Sequence, residues 1–256
     1  MCTLRCLGEF DDYDSKRGKE HTRHGLVWEK PEVNSTVFSL HRVITEFPKP
    51  LSKDRIILAH KLAAAIQYLH SVHRTHIALR SDNVLFFSSN DTLDIAQPRL
   101  IGFKYSRSPG RDGRFWEGPE AACNVWTELY AHQDCPGMGN KPAYRKTFDI
   151  YSLGIILLEI SHWKTIDHVL GLNMNHATTR NLNAANIRYC LLELDKKFVG
   201  QVLGEMGETY QLAVRCCLDG SSMTGISYDD QDFGVRLDTE FAKTVLQWLE
   251  YPQLEG

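Results

Sequence analysis

The sequence predicts a single α+β domain that is mostly α, and three observations lead to that class. The run from Ile150 to Ile160 is apolar nearly all round, as in a helix surrounded by protein on every side. A second apolar stripe recurs at spacings of four, four and three, the pattern of an amphipathic helix, in Leu58, Leu62, Ile66 and Leu69. Short strand-like runs occur near the N-terminus and again after residue 83.

The composition limits the possible partners. With 256 residues, 43% of them hydrophobic, the chain can bury a sizeable core, and its net charge of −3 creates no field that would attract nucleic acid. The longest apolar run is far shorter than the roughly 20 residues of a membrane span, so no span is expected. The seven cysteines form no C-x-x-C pair and suit a reducing compartment. The N-terminus lacks the apolar segment of a secretory signal, and we expect a cytoplasmic protein.

The first elements are a hairpin and a long helix. Strands are expected at Leu4 to Phe10 and at Gly25 to Glu29, with a charged loop between them. The long helix is expected to begin with Ser52 as its N-cap and to pack its apolar stripe against the central helix. No metal site is expected, because no carboxylate or cysteine completes a ligand set with the three histidines of this region, His70, His73 and His76.

The later elements follow from the same rules. Short strands are expected at Val84 to Phe87 and near Arg99 to Ile101, followed by a long loop without periodicity to about residue 142. Three helices are expected in the C-terminal third, at about Asn186 to Val202, Glu208 to Leu218 and Asp238 to Glu250, the last with Asp238 as its N-cap.

A catalytic motif survives in altered form between the long helix and the strand that follows. His76 to Asn83 keeps the frame of the protein-kinase signature H-R-D-L-x-x-x-N but has Ala78 where the catalytic aspartate belongs. Phe148 to Ile160 closely resembles the buried central helix of a kinase C-lobe. Residues 25 to 250 therefore resemble the C-lobe of the protein-kinase superfamily, and the fold expected from the resemblance is kinase-like, with a helical C-lobe and a truncated or minimal N-lobe hairpin.

The amino-acid sequences of several segments resemble those of one subfamily. These are fungal kinase-like domains found beside prion-inhibition and heterokaryon-incompatibility (HeLo-type) proteins. The segments that carry this likeness are Gly25 to Val27, Ser39 to His41, Asp82 to Phe87 and Gly102 to Arg107. In those relatives, the effector would be an N-terminal death-inducing or prion-linked module.

The resemblance assigns a role to each site position, and most of the positions are degenerate. Ala78 can neither accept a proton nor orient a hydroxyl. Arg80 replaces the loop lysine, and Asn83 is left as a possible magnesium ligand. The metal-binding D-F-G triplet becomes Gly102, Phe103 and Lys104, which removes the carboxylate that a hard divalent ion needs. We expect no catalytic residue, no metal and no cofactor, although weak ATP binding is conceivable.

The N-terminal part is too short for a full N-lobe. No glycine-rich loop and no V-A-I-K lysine precede Gly25, so residues 1–30 are interpreted as remnant N-lobe strands and hinge, and residues 31–256 as the C-lobe. Natural truncation and an incomplete sequence both remain open. The hinge residues Val27, Trp28 and Glu29, with Asn83, are the weak candidates for contacts to ATP.

Other matched positions are structural. Asp149 corresponds to the aspartate that fixes the backbone of the kinase catalytic loop, and His76 would support the same loop. Asp134 stands where the activation segment usually ends in a glutamate, and Arg215 or Arg236 is its expected partner.

The sequence therefore predicts a catalytically impaired kinase-like domain that binds protein partners or regulates an attached effector. Two alternatives remain. One is a residual Ser/Thr kinase using Asp82 as a displaced base. The other is an ATP sensor without turnover.

Overall fold

The computed structural model of the protein describes most of the chain. The described residues are 3–13, 22–31, 35–89, 92–103, 106, 128–135, 145–172, 183–194, 196–219 and 233–250. Over these residues the protein is mostly helical with small antiparallel sheets, so the predicted α+β class is confirmed. Most of the predicted loop between residues 105 and 142 lies outside this set, as does Lys104.

The N-terminal hairpin is present and is longer than predicted. Strand β1 (Cys6–Tyr13) pairs antiparallel with β2 (Thr22–Trp28), so the strands extend into what was predicted to be a loop from residue 11 to residue 24. The register places Asp12 opposite Arg23 and Tyr13 opposite Thr22. Charge content alone had suggested a solvated loop, and that interpretation was wrong for the paired residues.

Four short strands form a second sheet. Its strands are β3 (Thr36–Ser39), β4 (Val84–Ser89), β5 (Thr92–Leu93) and β6 (Arg99–Leu100). β4 lies at its centre and pairs antiparallel with β3, β5 and β6. β4 and β6 were expected from the sequence, whereas β3 was not.

The helices account for most of the core. They are α1 (Leu40–Glu46), α2 (Ser52–Ser71), α3 (Lys146–His162), α4 (Ile166–Val169), α5 (Ala184–Tyr189), α6 (Lys196–Met206), α7 (Glu208–Asp219), α8 (Phe233–Phe241) and α9 (Gln247–Leu249). A π-helical turn, Cys190–Leu194, follows α5, and a second, Ala242–Leu246, joins α8 to α9.

The central helix is buried as predicted. Every residue of α3 from Lys146 to Ser161 is buried, and α2, α6 and α7 all pack against it. On α2 the stripe Leu58, Leu62 and Ile66 is buried, but the fourth position turns out differently: Leu69 is only half-buried, and His70 takes its place in the core. The polar ring of His70 thereby lies beside the first turn of α3.

Two predicted helix caps were wrong. Ser52 is the first residue of α2, the cap position is Leu51, and no side chain caps that end. Asp238 lies inside α8, which begins at Phe233, and its carboxylate accepts a hydrogen bond from Lys146 Nζ at 2.6 Å. An aspartate just before an apolar stripe matches the N-cap pattern. Here its partner is a lysine distant in sequence, and the sequence does not show that pairing.

Among the described residues, no helix combines the length and the apolar character needed to cross a bilayer.

Gly154 allows α3 and α7 to approach closely. A Cβ at this position would lie 2.8 Å from Cys217 Cβ and 3.0 Å from Leu218 Cδ2. We expect Gly154→Ala to lower the free energy of unfolding by about 1–3 kcal/mol through overpacking, although alanine is intrinsically the better helix former by about 1 kcal/mol.

The matched control for this substitution is Gly200→Ala on α6, where a Cβ meets nothing within 4 Å. Its expected effect is neutral or stabilising by up to about 1 kcal/mol. Chemical denaturation of both variants provides the comparison. Equal stability of the two variants would show that the contact between α3 and α7 is not tight.

Candidate functional site

The loop of residues 76–83, which carries the predicted site positions, is held by one buried carboxylate. Asp149, in the first turn of α3, is fully buried and accepts hydrogen bonds from two loop amides, His76 N at 2.7 Å and Ile77 N at 3.0 Å. His70 Nε2, at the end of α2, lies 3.1 Å from the same carboxylate. Three separate segments of the chain thus meet at Asp149.

The loop needs such a restraint because Ile77 has φ of 72°, a left-handed conformation that β-branched residues rarely adopt. Burial alone would raise the pKa of Asp149. The hydrogen bond and charge of His70, together with the His76 contacts, more than offset burial and hold the pKa below its ordinary value. Asp149 is therefore ionised at neutral pH, as an acceptor for several donors should be.

His76 joins the loop to the end of β6. Its Nε2 donates to Ile101 O at 2.7 Å, and its ring lies 5.0 Å from that of Phe103. Complete burial lowers the pKa of His76, so the ring is neutral with its proton on Nε2. The predicted supporting role of His76 fits this geometry.

Asn83, the one retained metal-ligand candidate, is tied to the loop through its amide nitrogen. Its Nδ2 donates to Ala78 O at 2.5 Å, and its backbone carbonyl accepts from Ile101 N at 2.9 Å. Ala78 presents only a methyl group at the predicted base position. The Nδ2 group thus closes a turn, and Oδ1, the atom through which an asparagine would bind a metal, takes no part in this bond.

Gly102 is shaped for contact with Asn83. Its φ is +92°, and a Cβ built on it would lie 2.8 Å from both Cγ and Nδ2 of Asn83. A side chain at this position would be strained by the backbone conformation and would collide with the amide. Glycine at residue 102 therefore allows the Asn83 amide to lie against the backbone.

Arg80 and Asp82 pair loosely with each other. Arg80 Nε lies 3.6 Å from Asp82 Oδ2, and the Asp82 side chain is 47% exposed. Asp82 is the displaced base of the residual-kinase alternative. The contact with the guanidinium directs this carboxylate to Arg80.

The predicted hinge residues border the site at one point. Trp28 lies with its ring 6.4 Å from that of Phe103, which connects the hairpin to the Gly102 turn. Val27 is 42% exposed, and Glu29 is engaged with Arg5 through Glu29 N to Arg5 O at 2.8 Å. Of the predicted hinge residues, the structure thus brings Trp28 close to Phe103, and a role of these residues in ATP binding stays a prediction.

A second buried acid, Glu159, was not identified as a site residue from the sequence. Its Oε1 accepts from Tyr130 Oη at 2.7 Å and from Ile166 N at 2.9 Å, with Ser81 Oγ at the hydrogen-bond limit of 3.5 Å. Burial raises the pKa of Glu159 to about 8. Its position in an otherwise apolar run was the available signal, since a lone acid in a buried helix needs partners.

Asp134 has a local neighbour. Its carboxylate lies 3.7 Å from His132 Nδ1 and is 65% exposed. The expected pairing with Arg215 or Arg236 stays a prediction. Within the described parts of the chain, no group of three or more histidine, cysteine or acidic side chains is arranged to hold a metal ion.

Comparisons with known proteins support a kinase-like relationship at the coarse level. No protein-family model matches the chain. Over 135 residues the chain is 30% identical to a serine/threonine-protein kinase-like protein of Arabidopsis thaliana. The match covers 52% of this chain and 35% of the plant protein, so the chain spans about a third of that relative's length. The predicted link to fungal HeLo-type proteins stays a prediction.

Glu159 makes stability depend on pH in a defined direction. A carboxyl with a pKa of about 8 in the folded state, against 4.5 ordinarily, contributes stability that is fully present below pH 4.5 and is lost as pH rises towards 8. Glu159→Gln cannot titrate but keeps an acceptor. As the pH rises from 5 to 8, the parent protein loses stability that the variant keeps. We therefore expect the free energy of unfolding of the variant to rise relative to that of the parent by a few kcal/mol over this range, at about 1.4 kcal/mol per pKa unit.

Urea denaturation at several pH values measures this difference, with Glu208→Gln, which removes an exposed carboxylate, as the baseline. A difference between Glu159→Gln and the parent that stays constant over this range would contradict the assignment.

Proposed function

We propose that this protein is a kinase-like domain without phosphoryl-transfer activity that works by binding protein partners or by regulating an attached effector. Phosphoryl transfer depends on positioning and on charge stabilisation by metal ions, and a general base contributes on the order of 10²- to 10⁴-fold. Ala78 cannot act as that base. Loss of the metal-binding carboxylate is the more serious deficit, because a neutral amide holds a hard divalent ion poorly.

The observation that carries the proposal is the packing of Gly102 against Asn83. The two positions that would share the metal are in contact, because a Cβ at residue 102 would lie 2.8 Å from the Asn83 amide, whose Nδ2 is bonded to Ala78 O. Without a carboxylate at residue 102, the neutral Oδ1 of Asn83 is left as a weak ligand for a divalent ion. Restoring aspartate at residue 102 would introduce strain before it introduced a ligand.

The frame around this turn is intact, which supports a binding role. Asp149, His76 and Glu159 each fix several chain segments through buried hydrogen bonds, and none of these contacts requires catalysis. The hairpin also exposes large apolar side chains, which on a soluble domain often mark contact surfaces: Leu7, Phe10, Leu26 and Val27. A rigid domain with an exposed apolar hairpin suits a protein-interaction module.

The finer proposal follows from the resemblance to fungal domains associated with prion-inhibition and heterokaryon-incompatibility proteins. There the domain would regulate an effector module attached to the same chain. The intact buried frame is compatible with this role, which needs a stable surface and no turnover.

Thermal-shift titration with ATP, with and without Mg²⁺ or Mn²⁺, tests the proposal. Ligand binding to the native state raises the melting temperature by mass action. We expect no metal-dependent shift for the parent protein, and none for an Ala78→Asp, Gly102→Asp double variant, because the backbone at residue 102 disfavours a side chain. The melting temperature of the double variant without ligand should fall, which confirms the steric argument separately.

The alternatives predict other outcomes. A shift with ATP that does not depend on metal would identify an ATP sensor. A metal-dependent shift, together with radiolabel transfer that disappears in Asp82→Ala, would identify a residual kinase and overturn the proposal.

A further inference from the structure

A groove lies on the domain away from the degenerate loop, where the connector before α2, the end of α3 and one face of α6 come together. Its volume is ≈ 690 Å³, within the range of sites that hold small ligands or a few residues of a peptide. The lining residues are Lys49, His162, Trp163, Lys164, Gly200, Gln201, Gly204 and Glu205.

Positive charge is in excess around this groove. Lys49 Nζ lies 2.5 Å from Glu205 Oε2, and Arg55 Nη2 lies 3.7 Å from the same oxygen. Lys164 also lines the groove, so three cations and one carboxylate lie in or against its wall. Glu205 can neutralise only part of this positive charge, and an anionic ligand would neutralise the rest.

The Arg55 side chain is held by backbone carbonyls and has a structural role. It donates to Pro50 O at 3.2 Å and to Ile160 O at 3.3 Å, and it also bonds Ser161 O. These contacts cap the carbonyl end of α3 and hold the wall of the groove against α2. The cations available to a ligand are therefore Lys164 and, in competition with Glu205, Lys49.

His162 supplies an acceptor at the same place. Its Nδ1 lies 3.0 Å from Leu158 O, and because a carbonyl can only accept, the ring proton is on Nδ1. Burial lowers the pKa of His162, so the ring is neutral and Nε2 is an acceptor. Nε2 is buried and has no partner at full hydrogen-bond geometry within the described chain. The side chain of Gln201 lies within hydrogen-bonding reach of the ring and raises the pKa of His162, and it would have to turn aside for a ligand N–H to reach Nε2.

The floor and wall of the groove are preformed. Gly200 and Gly204 lie one helical turn apart on α6, and a Cβ on either would meet nothing within 4 Å. Another backbone can approach such a surface closely. The indole of Trp163 donates from Nε1 to Phe47 O at 3.2 Å, which fixes the wall.

We propose that this groove binds an acidic peptide segment of a protein partner. The carboxylates of the peptide would pair with Lys164 and Lys49, its backbone would lie over Gly200 and Gly204, and a peptide N–H would donate to His162 Nε2. A free phosphate ion is much smaller than a peptide segment and leaves most of the groove volume unfilled. The proposal rests on the proposed function as an interaction module.

Fluorescence anisotropy with a labelled peptide containing three consecutive glutamates tests the proposal, with the matching glutamine peptide as the uncharged probe. We expect the acidic peptide to bind the full chain, more weakly at higher salt, and the glutamine peptide to bind at least tenfold more weakly. Lys164→Glu should weaken binding about tenfold, because it removes an attraction and adds a repulsion. Gly204→Leu should also abolish most binding, since it fills the floor without a change of charge.

The matched control is Lys243→Glu, the same charge change at an exposed lysine that is not among the residues lining the groove. It should leave the affinity unchanged, and all variants should melt cooperatively.

Absence of binding by the acidic peptide, equal affinity in every variant, or full competition by millimolar inorganic phosphate would each overturn the proposal. None of these results bears on ATP binding, so the failure of this proposal is distinguishable from failure of the catalytic one.

Discussion

The carboxylate of Asp149 is the constraint on which the site depends. A fully buried charge on the central helix is tolerated only when its acceptor capacity is used, and here two loop amides and the His70 ring use it. In return, the carboxylate holds Ile77 in a left-handed conformation that its side chain disfavours. Loop, long helix and central helix are thereby fixed relative to one another, and His76 extends this connection to the second sheet through Ile101 O.

The same loop is shaped by contacts among its own residues. Ala78 carries only a methyl group and Gly102 only a hydrogen, so neither side chain can transfer a proton or bind a metal. The Asn83 side chain joins the two positions, because its Nδ2 donates to Ala78 O and its amide packs against the Cα of Gly102. Glu159, protonated at neutral pH, serves as a second junction that links Tyr130 to the start of α4.

Much of the fold could be predicted because it follows from local patterns. The apolar run of α3, the stripe on α2 and the hairpin are all properties of short segments. The sequence also singled out Asp149, and the structure places its carboxylate at the amides of His76 and Ile77; its role as the equivalent of a kinase aspartate stays a prediction. The partners of Glu159 and Asp238 could not be predicted, since they come from distant parts of the chain and depend on packing. The approach of Gly102 to Asn83 was missed for the same reason.

Hydrogen exchange at the amides of His76 and Ile77 tests the role of Asp149 most directly. In Asp149→Asn the side chain keeps its shape but loses its charge and one acceptor oxygen, so both amides should lose protection while those in the middle of α2 keep theirs. Asp167→Asn, a change at another buried aspartate that makes no contact with the loop amides, should leave both protected. Unchanged protection of His76 and Ile77 in Asp149→Asn would contradict the account.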